Sequence, residues 1–169
     1  MISIDFCRRM AAYNGWMNDK LYAAAAQLDG EARKRDRGAF FGSIHRTLDH
    51  LLYGDEAWMR RFTGQSLDGL SISEALFDEF ALMHQQRTAL DRRIVDWVEG
   101  LTPEWLASDF RYYSLAYRGT FVRPAWLLVA HMFNHGTHHR GQVTTLLMQA
   151  GIDPGVTDLP AMPDLPPPV

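Results

Sequence analysis

The chain is almost without cysteine: Cys7 stands alone among 169 residues. That excludes an internal disulfide and any cysteine-built zinc site, and it fits a reducing compartment. Positive charge is not in excess either. Lys and Arg number 17 against 20 Asp and Glu, and the net charge of −3 gives no electrostatic footing for nucleic acid. The run Arg33-Lys34-Arg35-Asp36-Arg37 reads as a solvated loop. Long apolar stretches are also missing. Asp5, Arg8 and Arg9 fall where a secretion signal needs an apolar core, and Ala125 to Ala130 is far too short to cross a bilayer. The expectations are no membrane, no nucleic acid and a cytoplasmic location. What is present, 47% hydrophobic and 22% charged residues, suits one domain with a core of its own.

Four segments carry helical periodicity. The first, from about Ile4 to Leu28, repeats Phe6, Met10, Tyr13, Met17 and Leu21 at three- and four-residue steps, and Asp29-Gly30 closes it. The second, from about Ser43 to Phe62, aligns Ile44, Leu48, Leu51, Leu52 and Trp58. The third is predicted to start at Ser71 or Ser73, because Ser71-Ile72-Ser73-Glu74 has the form of a capping box, and to run to Gly100. Pro124 suits a first helical turn and opens the fourth, which stops at Gly151. Between the last two, Asp109 to Val122 is aromatic-rich, with Gly119 as a turn, and reads as a short hairpin or an irregular ordered segment. Prolines 154, 160, 163, 166, 167 and 168 keep the end of the chain from being helical. The reading is an all-α four-helix bundle over residues 1–151, followed by a Pro-rich tail, 152–169.

The chemistry concentrates in His131-Met132-Phe133-Asn134-His135-Gly136-Thr137-His138-His139, which holds four of the seven histidines. His131, His135 and His139 recur every four positions and form one stripe on a helix. Neutral imidazole is the commonest protein ligand for transition metals. The stripe cannot serve one ion as a whole. A rise of ~1.5 Å per residue places His131 and His139 roughly 12 Å apart. Two nitrogens on one metal can be at most ~4.2 Å apart. Either His131 with His135, or His135 with His139, can share an ion, and His135 belongs to both pairs. A third ligand must come from another helix. In the second helix His45 and His50 lie about 140° apart at ~100° per residue. His50 lies beside Leu51 and Leu52, whereas His45 pairs at i+4 with Asp49, as a surface hydrogen bond would. Asp55 cannot share the face of His50 and is expected to bond a neighbouring helix around Arg140. His84 reads as structural, and Trp58, Tyr112, Tyr113 and Tyr117 as packing.

Three elements carry a family resemblance: Tyr13-Asn14-Gly15-Trp16-Met17-Asn18, His50-Leu51-Leu52-Tyr53-Gly54-Asp55 with Trp58, and Asn134-His135-Gly136-Thr137-His138-His139-Arg140-Gly141-Gln142. Together they resemble the DinB/YfiT-like superfamily of four-helix bundles, which is unrelated to the DNA polymerase sharing that name. The resemblance implies one divalent metal ion (Zn, Ni, Fe or Mn) held by a histidine of the second helix and an HxxxH pair of the last. By position these are His50, His135 and His139. His131 and Asn14 are then pocket or supporting residues. It further implies a small-molecule substrate, a low-molecular-weight thiol in characterised relatives such as bacillithiol- or mycothiol-dependent transferases, and a homodimer. The alternatives are a metal-dependent hydrolase and a non-catalytic metal or small-molecule binder. No glutamate stands in the histidine cluster as it does in HExxH metalloproteases, so no general base is evident. The metal's open side is expected to face a pocket lined by the first helix and Tyr112 to Phe121. Gly136 and Gly141 are expected to let a neighbour come close.

Overall fold

A computed structural model of the protein describes residues 1–71, 74–114 and 116–163. Helix α1, Ile4–Ala25, begins where Ser3 Oγ accepts from the Phe6 amide at 3.1 Å. It ends three residues before Leu28. Asp29 starts a new helix, α2, Gly30–Lys34, by accepting from the Ala32 amide at 2.7 Å. Arg33 of α2 donates back to the carbonyls of Ala25, the last residue of α1, and of Leu28 in the turn after it. The charge run read as a loop is thus partly a short helix. Helix α3, Ile44–Phe62, is capped by Ser43, whose Oγ accepts from the Arg46 amide at 3.2 Å.

The third long helix, α4, is Phe80–Glu99 and does not start at the Ser71 capping box; Ser73 lies outside the described residues. Side chains of α3 hold the preceding segment in another shape. The Asp49 carboxylate accepts from the amides of Leu76 and Phe77 at 3.0 and 2.9 Å, and His45 Nε2 bonds the Phe77 carbonyl at 2.9 Å. With those backbone groups answered by buried side chains, the helix has no need to begin earlier. His45 and Asp49 are therefore a buried clasp rather than a surface pair.

A short helix α5, Pro103–Ala107, leads into an antiparallel hairpin of β1, Asp109–Ser114, and β2, Gly119–Pro124. Tyr112 pairs with Phe121 and Phe110 with Arg123. Pro124 ends the hairpin, and helix α6, Ala125–Gln149, follows at once. It closes where Gly151 takes φ of 81° and the Ile152 amide reaches back to the Leu147 carbonyl at 2.9 Å. The described part of the tail, 152–163, is not α-helical, though Leu159–Ala161 makes one 3₁₀ turn. It folds back on α1: Tyr13 Oη donates to the Thr157 carbonyl at 2.7 Å, and Met162 is buried.

Helix α1 packs on α4 and α6, and α3 packs on the same two, which sets α1 and α3 across the bundle from each other. Met17, Leu21, Ile44, Leu48, Met83, Ile94, Val129, Val143 and Leu147 fill the centre. Burial of each such side chain stabilises the fold by about 1.5–3 kcal/mol. That outweighs the ~1 kcal/mol cost of each helical glycine, so α3 and α6 can keep Gly54 and Gly136 for other ends. Among the described residues no helix is long and apolar enough to cross a membrane.

Candidate metal centre

Helix α3 offers His50 and α6 offers His135 and His139, one turn apart on its inward side. His50 Nε2 lies 3.2 Å from His135 Nε2, and His139 Nε2 lies 3.1 Å from it. All three donor nitrogens fall within 4.8 Å of one another. Ligands at 2.1 Å from one ion are about 3.0 Å apart at a right angle and about 3.4 Å apart at the tetrahedral angle. The spacing fits a shared ion.

The proton inventory agrees. His139 Nδ1 bonds Gln142 Oε1 at 2.7 Å, so it carries the N–H, and the Nε2 of the neutral ring presents a lone pair. One proton on His135 Nε2 cannot serve both neighbours. A cation placed among the three satisfies every lone pair, and the imidazoles could hold one divalent ion. Burial, then the mutual repulsion of His139 and His135, pushes His50 down to about 3. Burial and then His139 push His135 down to about 4. Burial also lowers His139, against the opposing hydrogen bond from Gln142. All three rings are neutral near pH 7, the form that binds metal.

Neighbours fix the rings. Phe41, in the loop before α3, stacks on His50 at 3.9 Å between ring centroids and meets His139 edge-on at 5.4 Å. Gly54 lies one turn past His50. A Cβ there would sit 2.7 Å from His135 Cε1, so only glycine lets that ring occupy its place. Neither residue stands out as functional in the sequence, although a mid-helix glycine four residues after a histidine is a signal of close approach. Gln142, at i+3 from His139, was likewise legible as its orienting partner.

A cleft of about 440 Å³ opens beside the histidines, between α3, the hairpin and α6. His50 and His135 border it together with Trp58, Tyr112, Tyr117 and Leu128. Tyr112, Tyr117 and Trp58 thus line a cavity rather than only pack, while Tyr113 is half exposed on the other face of β1. His131 also borders the cleft, 5.3 Å from the Trp58 ring and 5.9 Å from His135, and is kept neutral by burial and then by Arg61. The first helix, expected in the wall, contributes no lining residue.

The inward polar groups of α1 go elsewhere. Asn14 Nδ2 donates to Asp91 at 3.1 Å and to Asp55 at 3.3 Å, while Arg140 donates to its Oδ1. Asp55 pairs with Arg87 of α4 at 2.8 Å and meets Arg140 only through Asn14, which corrects the expected partner. Gly136 opens room for this network, since a Cβ there would lie 2.9 Å from Arg140 Nη1 and 3.2 Å from Asn14 Oδ1. Gly141 faces open space. His84 stacks on Tyr22 at 4.8 Å, a packing role.

A crystal structure of a DinB-like protein from Bacillus cereus ATCC 10987 superposes with a TM-score of 0.61 at 18% identity, over 83% of this chain and 90% of that one. At that identity the likeness speaks for the fold. Protein DinB of Bacillus subtilis (strain 168) is 28% identical over 160 residues, 91% of each chain. The model of the DinB family matches residues 3–167, which takes in the bundle, the hairpin and the tail, and the chain therefore belongs to the DinB family.

Proposed function

We propose that the protein is a metal-dependent transferase that holds one divalent ion on His50, His135 and His139 and acts on a low-molecular-weight thiol. The observation that carries this reading is the convergence of three neutral Nε2 atoms beside a cleft large enough for a small molecule. An ion bound there supplies a Lewis acid that lowers the pKa of a bound thiol or water toward neutrality. The protein's own groups do the rest. Gln142 keeps the His139 lone pair turned inward, Phe41 holds the plane of His50, and Gly54 admits the His135 ring. Trp58, Tyr112 and Leu128 give the cleft apolar walls. His131 is neutral in the same wall and can accept a proton from an incoming ligand.

The choice of transfer over hydrolysis rests on the family likeness. Among the described residues of the cleft there is no Asp or Glu, so His131 is the side chain placed to take a proton from a bound thiol or water.

Metal analysis of the purified protein, followed by thiol titration of the cobalt-substituted form, tests the reading. Wild type is expected to carry one ion per chain, with His50→Ala, His135→Ala and His139→Ala losing it and His84→Ala keeping it. Full metal retention in His135→Ala ends the metal assignment. If cysteine, glutathione, bacillithiol and mycothiol all leave the cobalt spectrum without a sulfur charge-transfer band at millimolar concentration, thiol transfer gives way to hydrolysis or simple binding. Family likeness also supports a homodimer, and sedimentation showing only the 19.3 kDa species at micromolar concentration would rule it out.

A further inference from the structure

The cleft also holds a cation that the metal reading leaves unused. Arg61 follows Trp58 by three residues on α3, and its guanidinium lies 4.8 Å from the Trp58 ring and 5.8 Å from Tyr112. Its Nε donates to the Tyr113 carbonyl at 3.2 Å, which fixes the plane of the group. The terminal nitrogens Nη1 and Nη2 have no acceptor among the described residues. On the hairpin, Arg123 borders the same space, its guanidinium 5.6 Å from the Phe121 ring and one Nη donating to the Val122 carbonyl at 2.8 Å.

Neither arginine forms an ion pair among the described residues, in contrast to Arg60 and Arg87, each held by carboxylates. Arg140 also lacks a carboxylate contact, but Asn14 and Thr137 seal it below Gly136, away from the cleft. Among the described residues that line the cleft there is no Asp or Glu to pair with either arginine. A guanidinium stays charged even where burial opposes it. A half-buried cation in an apolar cleft, its planar fork unanswered, is therefore built for an anion from outside. A cleft of about 440 Å³ also falls within the roughly 300–1,000 Å³ typical of small-molecule sites.

We propose that Arg61, assisted by Arg123, recognises a carboxylate on the substrate, so that the cleft takes a molecule with an acid at one end and a metal-seeking atom at the other. Only the second half of that statement rests on the metal reading. Arg61 sets substrate class without touching the histidines.

The test measures, by calorimetry on zinc-loaded protein, the affinity of ω-mercaptoalkanoates of three to eight carbons and of the matching mercaptoalkanols. One acid length is expected to bind at least about 10-fold tighter than its alcohol, because a fixed fork rewards one span. R61Q should bring that ratio within about twofold while leaving the alcohols unchanged, and R123Q should reduce it by about threefold. In wild type, raising NaCl from about 50 to about 500 mM should weaken the acids and spare the alcohols, a readout that stands even if R61Q does not fold. Equal binding of acids and alcohols at every length overturns the proposal. So does a preference that survives in R61Q, or the failure of every probe at millimolar concentration. Tighter binding of alkyl phosphates than of alkanoates of equal length overturns the choice of carboxylate. If thiol-free alkanoates bind as well as the thiols and depend on Arg61, the acid site stands and the thiol reading of the function falls.

Discussion

Arg87 and His135 are polar groups in one bundle, yet the protein answers the first and leaves the second wanting. Arg87 is fully buried, with Nη1 2.8 Å from Asp55, and Nη2 and Nε 2.7 and 3.1 Å from the two oxygens of Asp91. Asn18 adds bonds of 3.0 and 3.1 Å to Asp91, and Asn14 ties both carboxylates to Arg140. Except for Arg140 Nε, the network is closed. His135 has no partner for Nδ1, and its Nε2 meets two other ring nitrogens, of which one proton can serve only one. Polar clusters completed by the chain hold the fold together. One that the chain leaves incomplete beside a cleft has room for a partner from solution.

The largest expected effect separates these two roles. Arg87→Met leaves the carboxylates of Asp55 and Asp91 buried without their cation, and unfolding in urea should show a loss of about 3–5 kcal/mol. Metal-free His135→Ala should lose clearly less, while binding no stoichiometric metal. An equal or greater loss in metal-free His135→Ala would erase the distinction between the clusters.

Next comes Gly54→Ala. The added methyl collides with the His135 ring at Cε1 and Nδ1, at 2.7 and 3.0 Å, and must turn it away from the other two nitrogens. Overpacking of this kind costs about 1–3 kcal/mol, and the helix recovers up to ~1 kcal/mol of it from losing a glycine. Metal affinity should therefore fall more steeply than stability. Calorimetric zinc binding unchanged in Gly54→Ala would show that the ring's position is not set by this contact.

Gln142→Leu is milder, because it removes the orienting bond to His139 Nδ1 and keeps all three histidines. Loss of such a supporting partner typically weakens metal binding by roughly 10- to 100-fold. Gln142→Glu, which keeps an acceptor in place, should restore it. If Gln142→Leu matches wild type in a zinc competition assay, His139 is oriented by its packing alone.

These contrasts also mark what the sequence could and could not convey. The four long helices follow from apolar periodicity, which local geometry dictates, and the hairpin from its aromatic composition and Gly119. One-turn spacing leaves His131 with His135 and His135 with His139 both open, and the family pattern points to His139 and His50. The start of α4 is not legible in the sequence, because the Ser71 motif competes with Asp49 and His45, which reach Leu76 and Phe77 from a helix distant in sequence. The wall of the cleft was misassigned to α1 for the same reason, since only the packing of α1 across from α3 turns Asn14 toward Asp91. Arg61 carries no sequence signal at all. Its significance lies in the carboxylate it lacks, and pairing is a property of the folded chain.

A different effect, one of acidity, probes the incomplete cluster directly. Burial and mutual repulsion hold His50 at about 3 and His135 at about 4, while an unfolded histidine titrates near 6.5. Below pH 6.5 the unfolded chain takes up protons that the folded chain refuses. The metal-free protein should therefore be equally stable at pH 7 and 8, and then lose stability as the pH falls from 6.5 toward about 3. Each such histidine contributes at most ~1.4 kcal/mol per pH unit, and His50 less, because its exposed edge is screened by solvent. Carboxylates add their own slope at lower pH, so the informative window is pH 5 to 6.5. There the double variant His50→Ala/His135→Ala should show a flatter dependence than wild type in urea titrations. Zinc should move the onset of the loss to lower pH, because protons must then displace an ion as well as overcome burial. Equal slopes for wild type and double variant in that window would mean that the rings take up protons in the folded state as freely as in water, and the triad would then lack the neutral character that metal binding requires.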